Sequence, residues 1–159
     1  MTDELLNHDA LALGELLRRG DITPQELIDI TVRRIDYVNP ILNAVIYRTA
    51  DPARHLADQQ PLGYPFSGAP FLLKDMFAEY QGMPFQEGSR AVTGYISKID
   101  TELVKRYKTA GLLIVGKTNT PEFAGLPTTE PRLHGATVNP WNPDLSPGGS
   151  SGGAAAAVA

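Results

Sequence analysis

Apolar residues recur at helical spacing through the first forty positions. Leu11, Leu13, Leu16 and Leu17 fall within residues 9–19 and Gly20 follows, which predicts an amphipathic helix closed by glycine. Asp21-Ile22-Thr23 turns the chain, and Thr23-Pro24-Gln25-Glu26 predicts a second helix. Threonine caps it, proline suits its first position and glutamate completes a capping box. Leu27, Ile28, Val32, Ile35 and Val38 continue on roughly one face as far as Asn39-Pro40, where the helix is expected to stop because the residue before proline is pushed out of helical backbone. Asn43 to Tyr47 predicts a short strand, His55 to Gln59 a short helix, and Phe71 to Lys74 a buried strand. Residues 79–98 lack periodicity and read as loop. Thr101 to Ala110 predicts a compact helix with Leu103, Val104 and Tyr107 inward and Gly111 as terminator, and Leu112 to Val115 a second apolar strand. Strand, helix and strand in that order predict a parallel pair joined by a right-handed crossover. Residues 125–149 are rich in Pro, Gly, Thr and Asn and read as extended loop. Ala154 to Ala159 begins a further helix. There is no internal repeat and no clear linker, and the class is α/β.

Composition narrows the function classes. With 159 residues, 42% apolar and 20% charged, the chain fits one ordinary globular domain rather than a disordered segment. A net charge of −4 gives no reason to expect a nucleic-acid partner. Cysteine is absent, which removes disulfides, thiolate nucleophiles and cysteine-ligated metals and fits a cytoplasmic setting. No apolar run reaches the length of a membrane span. Met1-Thr2-Asp3-Glu4 is acidic and lacks the basic start of a signal peptide. The chain therefore reads as cytoplasmic, with no membrane partner.

The densest chemical signal is Ser146-Pro147-Gly148-Gly149-Ser150-Ser151-Gly152-Gly153. Glycines allow backbone conformations that a Cβ forbids, and two hydroxyls held in such a turn point to hydroxyl chemistry. Lys74 closes the apolar run Phe71-Leu72-Leu73. Taken alone it is most simply a lysine reaching out from a strand end and pairing with Asp75. Beside a serine turn it has a second role: a desolvated lysine loses its proton readily and can take one from a hydroxyl.

Phe71-Leu72-Leu73-Lys74-Asp75, Gly116-Lys117-Thr118-Asn119-Thr120-Pro121-Glu122-Phe123, Asn139-Pro140-Trp141-Asn142-Pro143 and the glycine-serine run together resemble the amidase signature family. The helix pair leading to Val38-Asn39-Pro40 and Asn43-Ala44-Val45 is also similar. The resemblance covers most of the chain and implies a mixed β-sheet flanked by helices. It implies hydrolysis of a carboxylic amide through a serine acyl-enzyme, with no metal and no organic cofactor. The family's catalytic set is a nucleophilic serine, a bridging serine preceded by a cis peptide, and a lysine. Residue by residue, Lys74 matches the base and Ser150 the bridging serine, with the cis bond at Gly149-Ser150. Ser151 with Gly148, Gly149, Gly152 and Gly153 supports the turn. The nucleophile has no match in this chain and is expected beyond Ala159. Ser67, Ser89, Ser97 and Ser146 lack its motif.

On this reading residues 1–159 are the N-terminal portion of a single amidase domain, apparently truncated. Residues 1–50 would hold the N-terminal helices and first strand, and residues 64–159 the catalytic-core portion. The partner is a small-molecule amide, with self-association possible through uncovered strands. Two alternatives stand. One is an amidase-like component of a tRNA-dependent amidotransferase, which would bring a partner protein and RNA. The other is a non-catalytic truncated fragment.

Other motifs carry less. The glycine run lacks the ending of a P-loop and the spacing of a dinucleotide fingerprint. His8, His55 and His134 have no metal-ligand spacing. Asp75 is expected to be structural, and Glu122 to start a helix and bond nearby backbone. Phe77, Phe123 and Trp141 are either core packing or the lining of an acyl pocket, and Met76 has the same two readings.

Overall fold

A computed structural model describes residues 4–59 and 62–159. The reading of Met1 to Asp3 as part of an acidic start lies outside the described residues. The elements are α1 (Ala10–Arg19), α2 (Pro24–Leu42), β1 (Val45–Arg48), α3 (Ala50–Ala57), β2 (Pro70–Lys74), α4 (Glu102–Thr109), β3 (Leu113–Thr118) and α5 (Gly152–Val158), with short 3₁₀ turns at Glu4–Asn7, Arg90–Val92 and Glu122–Ala124.

The helix ends follow local chemistry. Asp9 caps α1 by accepting from the Ala12 N–H at 2.8 Å, and Gly20 ends it with φ 75°. The capping box at α2 is closed: Glu26 accepts from the Thr23 N–H at 2.8 Å and the Glu26 N–H donates to the Thr23 hydroxyl at 3.2 Å. The hydrogen bonds from Thr23 hold the Glu26 carboxyl below the usual carboxylate range. Contrary to expectation, α2 does not stop at Asn39-Pro40 but carries Pro40 inside it and runs to Leu42. The chain resumes helical bonding past the proline, with the Asn43 N–H donating to the Asn39 carbonyl at 2.8 Å. The Asn39 side-chain oxygen then accepts from the N–H groups of Ala44 and Val45 at 2.9 and 2.7 Å, and so turns the chain into β1.

Other boundaries also differ from the sequence reading: β1 spans Val45–Arg48 rather than Asn43 to Tyr47. The short helix α3 starts at Ala50 rather than His55. The second apolar strand, β3, runs past Val115 through Gly116, Lys117 and Thr118. In α4, Val104 is buried but Leu103 faces out at 44% exposure.

The sheet has the order β1-β3-β2. β1 and β3 are antiparallel, pairing Val45 with Thr118, Tyr47 with Lys117 and Arg48 with Gly116, with an irregularity between Val45 and Tyr47. The Leu113 N–H donates to the Ala69 carbonyl and the Asp75 N–H to the Thr118 carbonyl. Sequence positions rise together across those bonds, so β2 and β3 run parallel. This is the expected pair, joined through α4. As the central strand, β3 is buried along its whole length.

Contacts divide the chain into two units. The first comprises the chain up to Tyr37, Thr49–Phe71 and Lys105–Val115. Its core gathers Leu13, Leu17 and Leu27, with Ile22 and Leu62 packed against them. Phe71 and Tyr107 pack ring on ring with centroids 4.7 Å apart. The second comprises Val38–Arg48, Leu72–Val104 and Gly116–Ala159, and it contains every candidate site residue. Among the described residues no helix is long and apolar enough to cross a membrane.

Candidate active site

The site begins where β2 ends. The hydroxyl of Thr118 on β3 donates to the Leu73 carbonyl at 3.3 Å, and the Asp75 N–H donates back to the Thr118 carbonyl. The backbone on both sides of Lys74 is therefore tied to the central strand. From that point the Lys74 Nζ reaches the Ser150 Oγ at 2.7 Å and the Ser151 Oγ at 3.0 Å. These residues lie 76 and 77 positions away in sequence. Burial lowers the Lys74 ammonium below its ordinary pKa, because desolvation disfavours the charged form. Among the described residues no acid is bonded to it. The expected pairing of Lys74 with Asp75 is not formed, since Asp75 instead binds Lys117 at 2.6 Å.

The glycine-serine turn contains a cis peptide between Gly149 and Ser150. Two buried threonines hold it. Thr120 donates its hydroxyl to the Ser150 carbonyl at 2.9 Å. Thr129 donates to the Gly148 carbonyl at 2.9 Å and accepts from the Gly152 N–H at 3.1 Å, so one hydroxyl spans both ends of the turn. Asn119 accepts from the Gly153 N–H at 3.2 Å and donates its own N–H to the Ala44 carbonyl at 2.9 Å. The Asn119 side chain donates to the Gly135 carbonyl and the Thr137 hydroxyl, each at 3.0 Å. The start of α5, the end of β3 and the loop over 135–137 thus form one bonded frame around the serines.

Thr129→Val removes the spanning hydroxyl at nearly constant volume and leaves the Gly148 carbonyl and the Gly152 N–H without this partner. An unsatisfied buried group costs about 1–3 kcal/mol, so thermal unfolding should show a clear loss of stability. Thr129→Ser, which keeps the hydroxyl, should recover most of it.

Among the described residues, none of the remaining candidates is hydrogen-bonded to Lys74, Ser150 or Ser151. Ser67, Ser89 and Ser97 are buried. Ser89 donates to Glu122 at 2.6 Å, so Glu122 fastens a distant serine rather than nearby backbone. Phe77, Phe123 and Trp141 are 75%, 49% and 83% exposed, so none of them is core packing. Among the described residues no group of histidines and acids could hold a metal. Phe77 and Phe123 also hold positive φ values of 59° and 49°, uncommon for bulky residues.

Sequence reasoning placed Lys117 and Thr120 in the Gly116–Phe123 motif without giving either a role, and did not single out Thr129. The threonines act through contacts to a turn 19–30 residues away, and no local pattern records such partners. The Lys117 signal was a lysine inside an otherwise apolar strand, which is visible once β3 is known to continue past Val115.

An α/β framework that brings a partly buried lysine onto two adjacent serines defines a candidate hydroxyl-chemistry site. The chain matches the Amidase family over residues 26–159 and belongs to that family. It is 43% identical over 153 residues to 6-aminohexanoate-cyclic-dimer hydrolase of Paenarthrobacter ureafaciens, covering 95% of this chain and 31% of that protein. It is 38% identical over 164 residues to a glutamyl-tRNA(Gln) amidotransferase subunit of Acidothermus cellulolyticus, covering 98% of this chain and 32% of that one. The solved structure of a 6-aminohexanoate cyclic dimer hydrolase superposes with a TM-score of 0.91 at 41% identity, covering 97% of this chain and 33% of that one. The chain therefore spans about a third of the length of the curated relatives it matches.

Proposed function

We propose that this chain supplies the base and bridging hydroxyl of an amidase that cleaves the C–N bond of a small carboxylic amide through a serine acyl-enzyme. The observation that carries this reading is the 2.7 Å contact between the Lys74 Nζ, whose partial burial lowers its pKa, and the Ser150 Oγ. Proton transfer requires such reach, and a base with a lowered pKa is better poised near neutral pH. Lys74 in its neutral form accepts the Ser150 proton while Ser150 accepts that of the nucleophilic serine, whose oxygen attacks the amide carbonyl. The C–N bond then breaks and the proton returns through the same relay to the leaving amine. Water, deprotonated by the relay, hydrolyses the ester.

The nucleophile is none of the serines assigned here. In a protein of the relatives' length it would come from the two thirds that this chain does not span. Residues 1–159 would then be the N-terminal portion of a single amidase domain. The cysteine-free composition is in keeping with a cytoplasmic setting.

The test uses the full-length protein carrying these residues, assayed for amine or ammonia release on a panel of aryl, aliphatic and cyclic amides. Amide turnover is expected, together with covalent labelling of one serine by a sulfonyl fluoride. Absence of both would overturn the reading. Because Lys74 must be neutral to act, kcat/KM should rise with pH through the lysine's lowered pKa. A second reading, a component of an amidotransferase, draws on the similarity to the amidotransferase relative. It predicts a copurifying partner protein and turnover that depends on it.

A further inference from the structure

We propose that the buried Asp75–Lys117 ion pair is a positioning device for Lys74, fixing the direction of its side chain and cancelling charge behind it; this rests on Lys74 acting as the base. Both side chains of the pair are 0% exposed, with the Lys117 Nζ 2.6 Å from the Asp75 Oδ1. Such burial is not explained by folding alone, because a well-packed apolar pair in the same space is often as stable or more so.

Its location suggests the use. Asp75 directly follows Lys74, at the bend where β2 ends, and the two side chains take separate partners, Lys117 for the carboxylate and the serine pair for the amine. Holding the carboxylate fast therefore fixes the backbone adjoining Lys74, and with it the point from which the lysine reaches the serines. The hold is redundant. The Asp75 Oδ2 accepts from the Gln86 N–H at 3.2 Å, while Lys117 also donates to the Pro84 carbonyl at 2.7 Å and lies 4.8 Å over the Phe85 ring. Gln86 in turn accepts from the Tyr47 hydroxyl on β1.

Charge supports the same assignment. The titratable groups acting around the pair are Tyr47 from β1, Glu79 and Glu87 from the segment after β2, and His134 from the long loop. Tyr47 is pushed up to about 12, first by burial and then by Asp75, so it stays neutral. Burial lowers the pKa of His134 despite Asp75, so it is also neutral near pH 7. Burial lowers Lys117, opposed chiefly by Asp75. Among the described residues, Lys74 itself is hydrogen-bonded only to the hydroxyls of Ser150 and Ser151, and burial accounts for its lowered pKa. A balanced pair leaves that effect of burial intact; an unbalanced one would add to it or oppose it.

The experiment measures kcat, KM and the acid limb of kcat/KM in the full-length protein for Asp75→Asn, Lys117→Met and the double variant Asp75→Leu/Lys117→Met. Asp75→Asn leaves a cation behind Lys74, and the limb should move to lower pH. Lys117→Met leaves an anion, and the limb should move to higher pH, each by about half a unit or more. Either single variant leaves a charge unpaired and is at risk of not folding. The double variant removes both charges and keeps the test decisive. It should fold, keep the limb in place and lose kcat by about 100-fold, as a catalytic group shifted by about 1 Å does, with KM nearly unchanged. Limbs that move in the same direction or not at all in the single variants, or a folded double variant within about threefold of the parent kcat, would overturn the proposal. Lys74→Ala run alongside separates the two levels. If it is as active as the parent, the amidase reading itself fails; if it is inactive while the pair variants are silent, only the positioning role fails.

Discussion

Lys74→Ala is expected to lower kcat/KM on amide substrates by between about 10² and 10⁴-fold, the range that a positioned general base supplies. KM should change little, since the amine touches the two serines and in the proposed relay acts on a proton. The pH dependence should lose its acid limb as well, because the group whose neutral form is needed is gone. Ser150→Ala should reach a similar loss by a different route: it leaves Lys74 in place but removes the hydroxyl 2.7 Å from the Nζ. The informative variant is the double. Residues that act as one relay are grossly non-additive, so Lys74→Ala/Ser150→Ala should be no slower than the worse single variant. A double whose loss is the product of the two singles would mean that lysine and serine work independently, and the relay would have to be abandoned. Ser151→Ala provides a contrast. Its hydroxyl also contacts Lys74, at 3.0 Å, yet the proposed relay routes no proton through it, so its effect should be much smaller.

Gly153→Ala should be among the most destabilising single-methyl changes available in the chain. A Cβ at Gly153 would stand 2.4 Å from the Asn119 nitrogen, 2.6 Å from its oxygen and 2.8 Å from the Ala44 oxygen. All three are backbone atoms of the bonded frame around the serines, so no flexible side-chain end can yield. Overpacking of this kind costs about 1–3 kcal/mol and occasionally more. At about 2–4 °C per kcal/mol for a protein of this size, the melting temperature should drop visibly. The methyl also forces apart the Gly153 N–H and Asn119 carbonyl pair, so activity in the full-length protein should fall with stability. Gly63→Ala is the control: nothing lies within 4 Å of its Cβ position, and its melting temperature should stay near the parent value. If both variants melt with the parent, the frame is looser than its distances imply.

These two expectations explain why the glycine-serine run was so legible. Its glycines record contacts as well as turns. Gly148 takes φ 83° in open space, while Gly149 and Gly153 lie against backbone. Only a residue without a Cβ fits at such positions, so the requirement is written into residue identity. The helix starts were legible for a similar reason. Asp9 and the Thr23–Glu26 box satisfy orphan N–H groups from three residues away, and that chemistry is local. The failures fall where neighbours in space outweigh neighbours in sequence. Pro40 ought to end α2, yet the Asn39 side chain binds the start of β1 and the helix continues to Leu42. Gly116, Lys117 and Thr118 look like the end of a strand, yet they pair with β1 and stay buried.

By itself the sequence determined the α/β class, the order of helices and strands, the family resemblance and the identity of Lys74 and Ser150 as the candidate pair. Periodicity, caps and turn residues act within a few positions, and the motif spelled out the rest. Tertiary structure alone decided that the Lys74 Nζ and the Ser150 Oγ lie 2.7 Å apart. It also decided that Asp75 turns from its neighbour to Lys117, and that Thr120 and Thr129 hold the turn from 30 and 19 residues away. A buried charge takes whichever opposite charge the fold brings within reach, and a carbonyl takes whichever hydroxyl arrives. Those partners are chosen by strand register and loop path, which no stretch of sequence contains on its own.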